Sequence, residues 1–242
     1  RFSLIRETRS VRSSRIIMSL MDLYRCCELC PRMCRIDRTQ GQRGYCGEDA
    51  VLRVSTICAH FGEEPSFTGT HGSGTIFFSG CACKCFFCQN HQISLNASGR
   101  SLTPAQLEHD AMILLQQRVH NLNLVTADHF LPHVVQFCQS LRRNGTNAPF
   151  LFNCSGYARP EMITILADGG IDIFLPDFKF AFPDLAEECM GDSRYPEIAL
   201  TAIKTMLEHR GALSPWDPSG ETPAQSGVLV RHLVLPGRVD NS

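Results

Sequence analysis

No apolar run in this 242-residue chain approaches the ~18 residues that a membrane-spanning helix needs, so a soluble protein with no membrane partner is expected. There is also no excess of one charge. The 23 Lys and Arg face 24 Asp and Glu, a net charge of −1, which argues against a general nucleic-acid binder. The first seventeen residues, RFSLIRETRSVRSSRII, lack a continuous apolar core and a small-residue cleavage site, so no secretory signal is read there. Disorder is not expected either. Hydrophobic residues make up 43% of the chain and charged residues only 19%, enough apolar surface to bury a core.

What the chain has in excess is cysteine. There are thirteen, nine of them within the first 85 residues, in a chain long enough not to need disulfide staples. Clustering of that kind points to metal binding in a reducing compartment, cytoplasmic in the first instance. Charge is uneven as well, because residues 1–53 carry eleven arginines against six acids. The Arg- and Ser-rich opening makes residues 1–21 a leader or presequence-like segment, with a mitochondrial location as the alternative. An untranslated leader ahead of Met18 or Met21 explains it equally well. The chain starts at Arg1 rather than Met, which leaves a fragment open.

Residues 22–70 read as a Cys-rich, loop-like, metal-binding extension punctuated by Pro31, Gly41, Gly44 and Gly47. Within 71–242, short apolar runs alternate with helical stretches. The runs are 75–79, 122–125, 150–153, 171–175 and 228–235, nearly continuously apolar as parallel strands covered on both faces are. Thr103-Pro104-Ala105-Gln106 opens one helix as a capping box, and others are expected over 131–143, 160–168 and 195–209. Strand and helix in alternation make an α/β fold of right-handed crossovers.

Cys81, Cys85 and Cys88 follow the first run directly, with the spacing C-x3-C-x2-C. Three thiolates on a tight loop can hold three irons of a [4Fe–4S] cube and leave the fourth open. An open position suits catalysis. The alternatives are a zinc loop or unligated cysteines, and Cys83 is placed to substitute for a neighbour. A second set, Cys27, Cys30, Cys34 and Cys46, has the spacing C-x2-C-x3-C-x11-C, sufficient for a closed zinc site or a second iron–sulfur cluster.

FFSGCACKCFFCQN resembles the signature of the radical S-adenosylmethionine (SAM) superfamily, with Phe87 as its aromatic residue. Gln89-Asn90 and Gly72-Ser73-Gly74-Thr75 are similar to one branch, the uncharacterised iron–sulfur proteins close to the pyruvate formate-lyase activating enzymes. The likeness runs from Tyr24 to Gly237. It implies a partial (βα)6 TIM-like barrel whose open iron binds the amino and carboxylate groups of SAM. A reduced cluster would then cleave SAM to a 5′-deoxyadenosyl radical that abstracts hydrogen from a substrate. The resemblance puts Phe87 near the adenine and Asp128 where the family contacts the SAM amino group. It also puts Ser155 at the cofactor, Asp177 on the ribose hydroxyls or ammonium, Lys179 on the carboxylate, and Arg231 on the fifth strand. It implies an electron donor such as flavodoxin or ferredoxin and allows a protein substrate, as in glycyl-radical-enzyme activation.

A chain stopping at Ser242 is expected to be truncated after the fifth strand, with a bare edge that lowers stability or takes a partner. Two other functions stay open: a non-catalytic zinc or iron–sulfur protein, and an inactive truncated relative.

Overall fold

The computed structural model describes residues 19–238 and Asn241, so residues 1–18 of the leader-like segment lie outside the described residues. Eight strands form one mixed sheet: β1 (Arg53–His60), β2 (Ser73–Phe78), β3 (Arg100–Ser101), β4 (Leu122–Val125), β5 (Phe150–Cys154), β6 (Ile173–Phe178), β7 (Gly227–Val228) and β8 (Arg231–His232). The order is β3-β1-β2-β4-β5-β6-β7, with β8 pairing β6 farther along its length. Pairing is parallel from β2 onward, while β1 runs antiparallel to both β2 and β3. The helices are α1 (Pro65–Thr68), α2 (His91–Ser94), α3 (Pro104–Gln116), α4 (Leu131–Arg143), α5 (Pro160–Asp168), α6 (Pro183–Met190) and α7 (Tyr195–Arg210). No helix among the described residues is long and apolar enough to cross a membrane.

Local chemistry explains several boundaries. Gln106 N–H donates to Thr103 Oγ1 (3.2 Å) and Thr103 N–H donates to Gln106 Oε1 (2.9 Å), the reciprocal box that starts α3. Strand residues then alternate between two apolar clusters. Ile76, Leu122, Leu124, Phe150, Phe152 and Phe174 pack with Leu107, Ala111, Val134 and Ile163 of the covering helices. Leu151, Ile173 and Leu175 pack instead with Phe67 and Leu213.

Three expectations need correction. The fifth run, 228–235, is not one strand. It makes two short ladders on β6, Ile173–Phe174 with Gly227–Val228 and Asp177–Phe178 with Arg231–His232. Between them lies Pro176, which has no N–H to donate, so one rung is missing although the register is the same on both sides. The expected bare edge is also partly covered: Ala212 bridges Val228, and Leu213 N–H donates to the Val228 carbonyl (3.1 Å).

Nor do residues 22–70 stand apart as an extension. Within that segment β1 is a strand of the sheet, and Tyr24, Cys27, Leu29 and Leu52 belong to the main core. The Tyr24 hydroxyl meets His133 Nδ1 of α4 at 2.7 Å. Arg38, only 1% exposed, donates to the carbonyls of His129 (2.6 Å) and Asp49 (2.6 Å) with its guanidinium over the Tyr24 ring. These contacts fasten the N-terminal segment to the body.

Candidate active site

The loop after β2 begins at Gly80, whose φ of +79° lies in the left-handed region. A Cβ there would stand 2.6 Å from the Cys46 carbonyl oxygen, so the chain can pass only as glycine. The next residue, Cys81, donates its N–H to that same carbonyl at 3.3 Å. Cys88 N–H closes a turn on the Cys85 carbonyl (3.1 Å), and Phe86 N–H reaches the Cys189 carbonyl of α6 (3.3 Å). Arg32 clamps the loop from outside. Its guanidinium donates to the carbonyls of Ala82 (3.1 Å), Met190 (2.6 Å) and Gly191 (2.9 Å) and lies over the Tyr45 ring.

Cys81, Cys83, Cys85 and Cys88 all line one cavity of about 760 Å³. Cys83 N–H donates to Cys81 Sγ (3.3 Å), and Ser94 Oγ donates to Cys88 Sγ (3.1 Å). The Cys83 thiol and burial push the Cys81 thiol well up. All thirteen cysteines are free thiols. Among the described residues, no three Cys, His, Asp or Glu side chains close on a point that a single metal ion would take. The donor set on this loop nonetheless fits a cluster, because thiols sit together on a cavity wall and none is tied up in a disulfide.

The same cavity is lined by Phe87, Ser155, Asp177, Lys179 and Arg231, which the topology brings together from four separate stretches of chain. Lys179 Nζ donates to Asp177 Oδ2 (2.5 Å), and Arg231 Nε donates to Asp177 Oδ1 (2.8 Å). Burial acts to lower the Lys179 pKa, but the Asp177 carboxylate outweighs it and holds the ammonium above its usual range. The Tyr195 hydroxyl accepts the Lys179 N–H and lies 2.8 Å from the carbonyls of Ser155 and Asp177. Phe87 packs edge-on against Phe180, which packs in turn on Tyr195.

Asp128 is placed differently. It is buried beyond the cavity wall, and Thr126, at φ +57°, lines the cavity in its stead. Burial raises the Asp128 carboxyl to about 7, and its Oδ1 has no hydrogen-bond partner. Two lining residues were harder to read from the sequence. Asn153 Oδ1 accepts from Arg231 Nη2 (2.6 Å), and Glu63 Oε2 faces Arg231 Nη1 at 3.4 Å. Burial, opposed by Arg231, raises the Glu63 carboxyl to about 7. From the sequence, Glu63-Glu64 reads equally as a substrate- or metal-facing pair or as solvated surface; the folded connection from β1 to α1 brings Glu63 to the cavity.

The second cysteine set lies next to this loop. Cys27, Cys30 and Cys46 are buried and Cys34 is half-buried. Tyr45 N–H donates to Cys34 Sγ (3.3 Å), and Arg38 Nη1 lies 3.8 Å from Cys27 Sγ. Burial raises the Cys30 thiol to about 12 and the Cys46 thiol to about 11.

A family model described as the radical SAM superfamily matches residues 75–213. An uncharacterized protein of Methanocaldococcus jannaschii is 30% identical over 225 residues, which are 90% of this chain and 60% of that protein. The chain thus spans less than two thirds of the length of the curated relative it matches.

Proposed function

Because this chain belongs to the radical SAM superfamily, we propose that Cys81, Cys85 and Cys88 hold a [4Fe–4S] cluster and that SAM binds across the cavity from it. When bound, the reduced cluster supplies the electron that cleaves the SAM sulfonium and releases a 5′-deoxyadenosyl radical for hydrogen abstraction. One observation carries this reading: the three cysteines share a single cavity with Phe87, Ser155, Asp177, Lys179 and Arg231. Its volume of about 760 Å³ is within the range of small-molecule sites.

The protein's part is positioning and charge. Lys179 keeps its proton and offers an ammonium to a carboxylate, held in place by Asp177 on its other side. Asp177 also accepts from Arg231, so one carboxylate orients two cations, and ligand hydroxyl or ammonium groups compete for its remaining lone pairs. Phe87 offers an aromatic face fixed by Phe180 and suited to a purine. Glu63 and Asn153 hold Arg231 from the opposite side.

The reaction we favour is hydrogen abstraction from a partner protein, of the glycyl-radical-enzyme-activating type, with flavodoxin or ferredoxin as electron donor. The resemblance of Gln89-Asn90 and Gly72–Thr75 to that branch supports this choice. Anaerobic reconstitution with iron and sulfide, followed by reductant and SAM, should yield 5′-deoxyadenosine. Cys85→Ala should lose the iron of this cluster and the product. A fully loaded cluster in that variant, or an intact cluster that never cleaves SAM in the parent, would overturn the proposal.

A further inference from the structure

The second cysteine set is built on two short turns. Met33 N–H donates to the Cys30 carbonyl (3.0 Å) and Gly47 N–H to the Gly44 carbonyl (2.9 Å). Cys27 exchanges backbone hydrogen bonds with the facing segment: its N–H donates to Ile36 (3.0 Å), and its carbonyl accepts from Arg35 (2.9 Å). A Cβ on Gly44 would lie 3.4 Å from Cys34 Sγ and 3.7 Å from Cys46 Sγ, so these two sulfurs flank the same small space. The Tyr45 amide and the buried Arg38 guanidinium direct donors at Cys34 and Cys27, as hydrogen bonds to ligating sulfurs do.

Four cysteines invite either a tetrahedral zinc or an iron–sulfur cluster. The position of the set favours the cluster, because zinc has no redox chemistry to offer a neighbouring electron-accepting centre. Cys46 belongs to one set and Cys81 to the other, and a single hydrogen bond joins them, Cys81 N–H to Cys46 carbonyl at 3.3 Å. From sulfur to sulfur the path is covalent apart from that one bond, the short bridge along which electrons tunnel readily.

We infer that Cys27, Cys30, Cys34 and Cys46 hold a second iron–sulfur cluster that relays electrons to the centre at Cys81, Cys85 and Cys88. This rests on the reading of those three cysteines as cluster ligands. A low-potential one-electron carrier protein is oxidised by one electron, which reduces the second centre. The second centre returns to its oxidised state as it reduces the first by the same single electron. No proton moves and no bond at a cysteine changes.

The test begins with metal content. After anaerobic reconstitution, the parent should hold about eight irons per chain, and Cys30→Ser should hold about four. The triple variant Cys81→Ala/Cys85→Ala/Cys88→Ala should also hold about four, all of them in the second centre. If the parent holds four and the triple variant none, the inference falls and the proposed function stands. If both hold four, the proposed function falls and the second centre stands. About one zinc per chain in place of the extra iron also refutes the inference.

The relay is read by stopped-flow and by electron paramagnetic resonance. In the fully reduced parent the two centres should broaden each other's signal, and Cys30→Ser should remove the broadening. Reduction of the first centre by reduced flavodoxin should slow at least tenfold in Cys30→Ser. The same should hold in Gly80→Ala, which keeps every thiol but displaces the Cys46 carbonyl. Unchanged rates in both variants would leave the second centre without the relay role.

Discussion

Alanine at Gly156 would place a Cβ 2.5 Å from the Asp177 carbonyl oxygen, where ordinary contact begins at 3.4 Å. Backbone or strand must therefore yield by about 0.9 Å, the difference between those two distances. At φ +71° a side chain also carries a left-handed penalty of about 1–2 kcal/mol. Overpacking adds about 1–3 kcal/mol, for a loss of about 2–5 kcal/mol. At about 2–4 °C per kcal/mol for a chain of this size, the melting temperature should drop by about 4–20 °C. The displaced residue is the carboxylate that holds Lys179 at 2.5 Å and Arg231 at 2.8 Å, so both contacts should lengthen beyond strong hydrogen-bond range. SAM affinity, measured by equilibrium dialysis on the reconstituted protein, should weaken at least tenfold, about 1.4 kcal/mol. Gly145→Ala is the control, since Gly145 has φ +87° with nothing within 4 Å of the added carbon. It should show the backbone penalty alone, with unchanged SAM binding. A Gly156→Ala protein that melts no lower than Gly145→Ala and binds SAM as the parent does would refute the clash with the Asp177 carbonyl.

Two further outcomes follow from contacts around the cavity. Arg32→Ala removes three charge-assisted hydrogen bonds to carbonyls and should cost about 2–4 kcal/mol by denaturant titration. Arg32→Lys should recover only a minor part, because an ammonium cannot span three carbonyls on two elements; full recovery would count against the clamp. Glu63 has a folded pKa of about 7 against an ordinary 4.5, so the fold favours its protonated form. The stability it contributes is complete below pH 4.5 and is lost as pH rises through 7, by at most about 3 kcal/mol. Denaturation midpoints from pH 5 to 8 should therefore fall more steeply in the parent than in Glu63→Gln, and parallel slopes would contradict the assignment.

How much was legible depended on whether a residue's role was local. Helices α4 and α5 match the ranges 131–143 and 160–168, because their apolar periodicity and flanking residues are short-range signals. The Thr103–Gln106 box is likewise a matter of four neighbouring residues. Strand β1 was missed because its residues are mostly half-buried without clean alternation, and its identity comes from pairing with β2. Helix α6 sits behind a residue pattern, PDLAEECM, whose apolar side is set by the cysteine loop it covers. At the site, the spacing of Cys81, Cys85 and Cys88 pointed to their loop directly. Asp128 was misplaced from the wall because Thr126 turns the chain through a left-handed step, a change of direction that spacing does not encode. Glu63 and Asn153, 168 and 78 positions before Arg231 in the chain, meet it only once the chain between them has folded. That pairing belongs to the topology.

The missing rung at Pro176 has a consequence for how the site assembles. With one amide absent between two short ladders, the backbone alone holds the last segment in place weakly. A slip of one residue would set Val230 or His232 opposite Asp177 and turn Arg231 to the other face of the sheet. The slipped chain would leave the Asp177, Glu63 and Asn153 oxygens facing an apolar or misdirected side chain. The charged cluster therefore acts as a proofreader of strand alignment: the arrangement competent to hold a ligand is also the one in which the final strand has docked in its correct frame.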